Sequence, residues 1–299
     1  VTASASEISA MQRAIVLSAF GLGRTSPNPP VGCVILDSTG QVVGEGYHER
    51  KGEAHAEVHA LTAAGERARG GTAVVTLEPC NHHGRTPPCR QALIDAGISR
   101  TVIATIDPTS REEGGAERLR AAGVDVEVGL LAESARLVLR PWLHSLEVGR
   151  PYVTWLYEVD ASGQVVAPGD ALVAQHRVEV DAILDDAGRL AEGIPNGHGD
   201  AAFKLPSSVP DDDAVALLAQ LHTGGVRSVL VTSPSAAQRF LRNDLVDYVT
   251  SYATSAGATA SPVPIQAMPA TALSALCIDR VGTFDRYVRV DGSVGPRNR

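Results

Sequence analysis

The sequence predicts a two-domain α/β protein whose first domain is a three-layer α/β/α sandwich. A chain of 299 residues is long enough for two domains of ordinary size, each with its own core. Through the first half, short β-branched runs alternate with helical patterns, the order that lays helices on both faces of a sheet. A long helical segment at 130–148 then gives way to a new strand, RPYVTW, so the boundary is placed near Gly149 and the domains are 1–149 and 150–299.

The elements follow in order. Residues 7–22 space Ile8, Met11, Ile15 and Phe20 as on an amphipathic helix, closed by Gly21 and Gly23. SPNPPVG comes next, a loop whose prolines 27, 29 and 30 fix much of its backbone and hold Asn28. On residue type alone Asn28 serves equally as a turn asparagine or as a ligand contact. VGCVILD and QVVGEGYH are two strands joined by Ser38-Thr39-Gly40, a hairpin signal, and His48 leaves the second. A helix opening at HAE, a strand at Thr72–Leu77, a helix at RQALIDAG, a strand at 101–106, a helix at 115–122 and a strand at 124–128 complete the alternation. The segment 130–148 contains Pro141, which predicts a kink.

The chemistry concentrates between His55 and Cys89. His55-Ala56-Glu57 opens one helical pattern, Pro79-Cys80 ends a strand, and Pro88-Cys89 opens a second helix. One imidazole and two thiolates fill three corners of a tetrahedral zinc site and leave the fourth for water, whose pKa zinc lowers toward neutrality. On a regular helix, positions i and i+2 do not share a face. His55 and Glu57 therefore converge on one water only if His55 stands at the helix entry. Two helix N-termini aimed at the metal would favour thiolate over thiol. A glutamate that shuttles protons without binding metal completes the layout of a zinc nucleobase deaminase. Within the Cys80–Cys89 loop, Asn81, His82, Arg85 and Thr86 form a donor-rich cluster. It reads either as a solvated loop or as a site for a phosphorylated substrate.

The eight residues between the cysteines, in PCNHHGRTPPC, together with TSPNPPVG and HAE, closely resemble the bifunctional pyrimidine deaminase/reductase family of riboflavin biosynthesis. The resemblance implies a cytidine-deaminase-like first domain with zinc on His55, Cys80 and Cys89, Glu57 as the catalytic residue, and Asn28 and His48 at the substrate. It implies further substrate contacts from Asn81, His82, Arg85 and Thr86, with Arg85 at the position of the family's basic residue. Asp107-Pro108-Thr109 departs from the family's Asp-Pro-Asn and removes one expected polar contact.

The second half resembles the family's reductase, a dihydrofolate-reductase-like α/β fold that binds NADPH. The anchors are PYVTW, the strand VDAIL at 180–184, SVLV at 228–231, RFL at 239–241 and LVDYVTSY at 245–252. The functional positions diverge. The family's lysine falls on Leu156, its Asp-Gly-Lys/Arg on Ser162-Gly163-Gln164, and its two glycine-rich turns on Asp185-Asp186-Ala187-Gly188 and Val231-Thr232-Ser233. A Cβ obstructs the close approach of backbone amides to a pyrophosphate, and two aspartates repel it. The expectation is a degenerate reductase fold without NADPH chemistry. Residues 254–272, rich in Ala, Ser, Thr and Pro, are expected to be loop.

Composition bounds the alternatives. A net charge of −8 and 4% aromatic residues argue against a nucleic-acid partner, and with it against a nucleic-acid-editing deaminase. No run reaches the length of a membrane span and no secretory signal is recognised, so no membrane partner is expected. Four cysteines, two of them claimed by the metal, suit a reducing cytoplasm. The leading expectation is zinc-dependent hydrolytic deamination of 2,5-diamino-6-ribosylamino-pyrimidinone 5′-phosphate or a close analogue, by a homo-oligomer. The alternatives are the full deaminase/reductase, or a zinc-stabilised scaffold, whose metal site would be closed rather than open.

Overall fold

The computed structural model of the chain describes residues 3–81, 87–110, 114–185, 187–199, 203, 205–206, 213–254, 276–284 and 287–294. Two compact units divide inside one helix, Val1–Arg140 and Pro141–Arg299.

The first unit is built on strands β1 (Gly32–Leu36), β2 (Val42–Tyr47), β3 (Thr72–Leu77), β4 (Arg100–Thr105) and β5 (Asp125–Val128), in the order β2-β1-β3-β4-β5. β1 runs antiparallel to β2 and β3, whereas β3, β4 and β5 are mutually parallel. Alternation along β1 sends Cys33 and Ile35 to one face and Val34 and Leu36 to the other. Helices α1 (Ala5–Ala19) and the start of α5 (Ala132–Val148) cover the second face. Helices α2 (Ala56–Ala64), α3 (Cys89–Asp95) and α4 (Gly114–Ala121) cover the first. The expected three layers are present.

Helix α1 differs from its expected face. Its entry is a capping box between Ser4 and Glu7, two residues ahead of the expected start. The buried stripe is Ala10, Met11, Ala14 and Leu17, while Ile8 and Phe20 are 37% and 57% exposed. Small residues win because α1 lies close on β1: a Cβ at Gly32 would stand 2.0 Å from the Ala14 carbonyl oxygen. The hairpin after β1 forms as expected, with Asp37 accepting from the amides of Thr39 and Gln41.

The second unit carries β6 (Tyr152–Val159), β7 (Val165–Val166), β8 (Ala182–Leu184), β9 (Leu190–Glu192), β10 (Ser228–Val231), β11 (Tyr248–Thr254), β12 (Leu276–Phe284) and β13 (Tyr287–Val294). Their order is β12-β13-β11-β6-β10-β8-β9, with β7 against β6. The centre, β11-β6-β10-β8, is parallel and the strands outside it are antiparallel. Helix α6 (Asp170–Arg177) packs on one face through Leu172, over Leu156 and Ile183. Helices α7 (Ala214–Thr223) and α8 (Pro234–Arg242) pack on the other, over Trp155 and Val229. The expected strands at VDAIL, SVLV and LVDYVTSY are β8, β10 and β11. Most of the expected 254–272 loop lies outside the described residues.

Candidate metal and active site

His55 is the N-cap of α2, in extended backbone, with φ −75° and ψ 164°. It therefore stands outside the regular turns, the position from which it and Glu57 can face one point. Two glycines of β2 allow α2 to lie close on the sheet: a Cβ at Gly44 would be 2.1 Å from the Ala60 oxygen, and one at Gly46 would be 2.6 Å from the Ala56 oxygen. Cys89 is the first residue of α3, after the N-cap Pro88. That helix ends on Gly97, at φ +72°, where Ile98 N bonds Leu93 O and Gly97 N bonds Ile94 O. Those two bonds make the Schellman closure expected of a glycine there.

The three candidate ligand atoms lie within 4.8 Å of one another. His55 Nδ1 is 3.3 Å from Cys89 Sγ and 3.7 Å from Cys80 Sγ, and Cys89 N donates to Cys80 Sγ at 3.3 Å. Bonds of about 2.0–2.3 Å at tetrahedral angles put an imidazole nitrogen and a thiolate sulfur roughly 3.5 Å apart, a value that the two His55–cysteine separations bracket. Both cysteines are free thiols. Their mutual hydrogen bond holds Cys80 below the ordinary thiol value and, with burial, pushes Cys89 up. The hydrogen bond to Cys80 likewise raises His55.

Glu57 is 3% exposed, and burial, then the charge of Cys80, pushes its pKa up to about 6. Its carboxyl is hydrogen-bonded to the Cys89 thiol. A buried carboxyl beside a three-cornered metal site, with a pKa moved toward neutrality, suits proton transfer in both directions.

The substrate side connects to this centre through His48. Its ring meets His55 edge to face at 5.2 Å between centroids. His48 Nδ1 lies 3.1 Å from the Ala54 oxygen and therefore carries the proton, which leaves Nε2 to accept from Asn28 Nδ2 at 3.3 Å. Burial brings His48 down to about 4, consistent with that neutral form. The pair commits the Asn28 amide nitrogen to His48, in the stiff loop. Asn81 is drawn inward instead, its Oδ1 accepting from Arg90 Nε. His82, Arg85 and Thr86 lie outside the described residues. Glu78, which the sequence reading passed over, is 5% exposed and sits two residues before Cys80. The only sequence signal was an acidic residue at the inner end of an apolar strand.

An imidazole, two thiols and a buried carboxyl gather at two helix entries over a mixed sheet, the layout of proteins of the zinc-dependent, cytidine-deaminase type. The sequence model described as the cytidine and deoxycytidylate deaminase zinc-binding region matches residues 5–105. Diaminohydroxyphosphoribosylamino-pyrimidine deaminase of Buchnera aphidicola subsp. Acyrthosiphon pisum is 49% identical over 142 residues, 47% of this chain and 96% of the relative. The chain belongs to this deaminase family. Riboflavin biosynthesis protein RibD of Escherichia coli is 53% identical over 144 residues, 48% of this chain and 39% of the relative. RibD of Mycobacterium tuberculosis is 50% identical over 185 residues, of which the chain spans 55% of the relative's length. The crystal structure of a diaminohydroxyphosphoribosylaminopyrimidine deaminase/5-amino-6-(5-phosphoribosylamino)uracil reductase from Thermotoga maritima superimposes with a TM-score of 0.77. That match is at 25% identity and covers 97% of this chain and 99% of the other. The second unit accordingly has the reductase-like fold.

Proposed function

We propose that residues 1–149 form a zinc-dependent aminohydrolase that releases ammonia from a phosphoribosylated diaminopyrimidine, the riboflavin intermediate or a close analogue. The observation that carries this reading is the convergence of His55, Cys80 and Cys89 beside the buried Glu57. His55, Cys80 and Cys89 would hold a zinc ion, whose chemistry would be to lower the pKa of a bound water and make it nucleophilic. Glu57 would take that water's first proton and pass it to the adjacent ring nitrogen as the water oxygen bonds to the amine-bearing ring carbon. It would then take the second proton, from the hydroxyl so formed, and deliver it to the amine, so that the C–N bond breaks, ammonia leaves and the hydroxyl becomes the ring carbonyl. Asn28, held by His48, presents its carbonyl oxygen to the ring. Asn81, His82, Arg85 and Thr86 are assigned to the substrate, with Arg85 on the phosphate.

The second domain, 150–299, is read as a fold retained without NADPH chemistry. Leu156, at the family's lysine position, is fully buried in the apolar cluster under α6. Ser233, in a former glycine-rich turn, accepts from Ala236 N and so occupies the entry of α8 itself. No helix of the described residues is long and apolar enough to cross a membrane. A cytoplasmic homo-oligomer with a small-molecule substrate and no nucleic-acid partner fits the acidic balance of the chain.

The test is metal analysis together with turnover of aminopyrimidine phosphates. One zinc per chain is expected, lost in Cys80→Ser. Glu57→Gln should keep the zinc and lose about 10²–10⁴-fold in turnover, because an amide cannot carry the proton. Undiminished zinc in Cys80→Ser, or loss of zinc in Glu57→Gln, defeats the assignment.

A further inference from the structure

We propose that Glu78 is a positioning residue for the metal centre, the carboxylate that fixes where Cys80 stands. The inference rests on the zinc reading above and concerns a residue that reading does not use.

Both oxygens of Glu78 are engaged, and all three donors come from the stretch between β4 and the first turn of α4. Oε1 accepts from Ala116 N at 2.9 Å. Oε2 accepts from Ser110 Oγ at 2.8 Å and from Asp107 N at 3.3 Å. The backbone joins in, with Glu78 N donating to Thr105 O at 2.9 Å. A residue that merely capped α4 would need only the bond from Ala116. Glu78 also holds Ser110 and Asp107, which stand ahead of the helix, and so ties the described residues on both sides of the helix entry to the end of β3.

The fit leaves no slack. Gly114 has φ +75°, and a Cβ there would lie 2.7 Å from Oε1; a Cβ at Gly115 would lie 1.9 Å from the Pro79 oxygen. The crossover is thus seated directly against Glu78 and Pro79, whose next residue is the ligand Cys80. Cys80 in turn receives the amide of Cys89. A displacement of Glu78 therefore passes to one thiolate through the backbone and to the other through that bond. Groups that orient a ligand from outside the coordination sphere typically change metal affinity or activity by 10–100-fold when altered.

Glu78→Gln in the full chain replaces one acceptor oxygen with an NH₂ group, which faces the backbone N–H of Asp107 or of Ala116, whichever oxygen it replaces, and cannot accept from it. Ser110→Ala removes a single bond to the same carboxylate and leaves its charge and size in place. Zinc release to a chelator and the visible spectrum of the cobalt-loaded protein are the readouts, since a purely structural contact would leave both unchanged. The expected result is one zinc per chain in both variants, released about 10–100-fold faster from Glu78→Gln. A smaller acceleration in the same direction is expected from Ser110→Ala, and a shifted cobalt spectrum in each. A folded Glu78→Gln protein with native release and native spectrum overturns the proposal. If Glu78→Gln does not fold, Ser110→Ala decides alone, and native behaviour there overturns it. Absence of zinc from the unaltered chain would defeat the reading of the site as well, and shows itself before any substitution is made.

Discussion

At the scale of single residues, burial sets the protonation that the chemistry uses. Glu57 and His48 are both moved toward their neutral forms by loss of water, one upward and one downward. The same physics acts on His176 in the second unit, where it has no catalytic assignment and can be read as stability. His176 lies 2.8 Å from the Tyr252 hydroxyl, and burial, then the charge of Arg289, brings it down to about 4. An unfolded histidine titrates near 6.5, so between about 6.5 and 4 the unfolded state binds the extra proton. The contribution of the neutral ring is therefore complete above pH 6.5 and is lost as the pH falls toward 4, by at most roughly 1.4 kcal/mol per pH unit. Melting at pH 7 and pH 5 should show lower stability at pH 5. His176→Gln, which can still bond the tyrosine hydroxyl, should narrow that difference. An unchanged difference would mean that other groups carry the acid sensitivity.

At the scale of elements, the approach of α2 to β2 carries the two most exacting side chains, His55 and Glu57. A methyl at Gly46 would meet the Ala56 oxygen, the Ala60 nitrogen and the His59 Cβ, all at 2.6 Å. Backbone atoms cannot rotate away, so Gly46→Ala must lift the start of α2. The expected cost is about 1–3 kcal/mol of stability, as for overpacking elsewhere. Zinc retention against a chelator should also weaken, because the helix entry moves with its ligand. Native stability and native retention together would show that α2 is not held by this contact.

This scale also separates what the sequence could reveal from what it could not. The gathering of His55, Cys80 and Cys89, with Glu57 buried, was legible because metal and proton chemistry restrict residue type and leave a recognisable order along the chain. The requirement that His55 stand at a helix entry followed from helical geometry alone, and the N-cap conformation meets it. Helix α1 was misread because hydrophobicity ranks Ile8 and Phe20 above Ala10 and Ala14, while the close approach of Ala14 to Gly32 favours small residues on the side of the helix that meets β1. Glu78 was invisible because its partners, Asp107, Ser110 and Ala116, lie 29 to 38 positions away. A carboxylate seen without its donors is only a polar residue at the end of a strand. The contact of Asn81 with Arg90 was hidden in the same way.

At the scale of the whole molecule, two units share an α/β plan but differ in what their strand ends and turns present. In the first, the chain after β3 places Cys80 beside His55 and Cys89. In the second, the corresponding places are closed by local bonds. The β6–β7 turn is tied by Asp160, which accepts from the amides of Ser162 and Gln164. Beyond β8 the chain reverses at once into β9, with Asp185 N bonded to Arg189 O and Arg189 N to Asp185 Oδ1. Thr232, after β10, donates its amide to the Leu184 oxygen. Amides committed to such bonds are not offered to a pyrophosphate, and Leu156 brings no charge to replace them. Loss of about three charge-assisted hydrogen bonds, each worth roughly 1.5–3 kcal/mol, removes on the order of 4.5–9 kcal/mol. At about 1.4 kcal/mol per tenfold step, a micromolar cofactor is carried beyond millimolar. Calorimetric titration of the full chain with NADPH should therefore give no heat of binding at concentrations up to about 1 mM. The fold itself should persist, since its core of Val153, Trp155, Leu218 and Val229 is buried independently of those turns. A Kd in the micromolar range would show that NADPH is held by contacts outside these four positions, and would return the second domain to the reductases in activity as well as in fold.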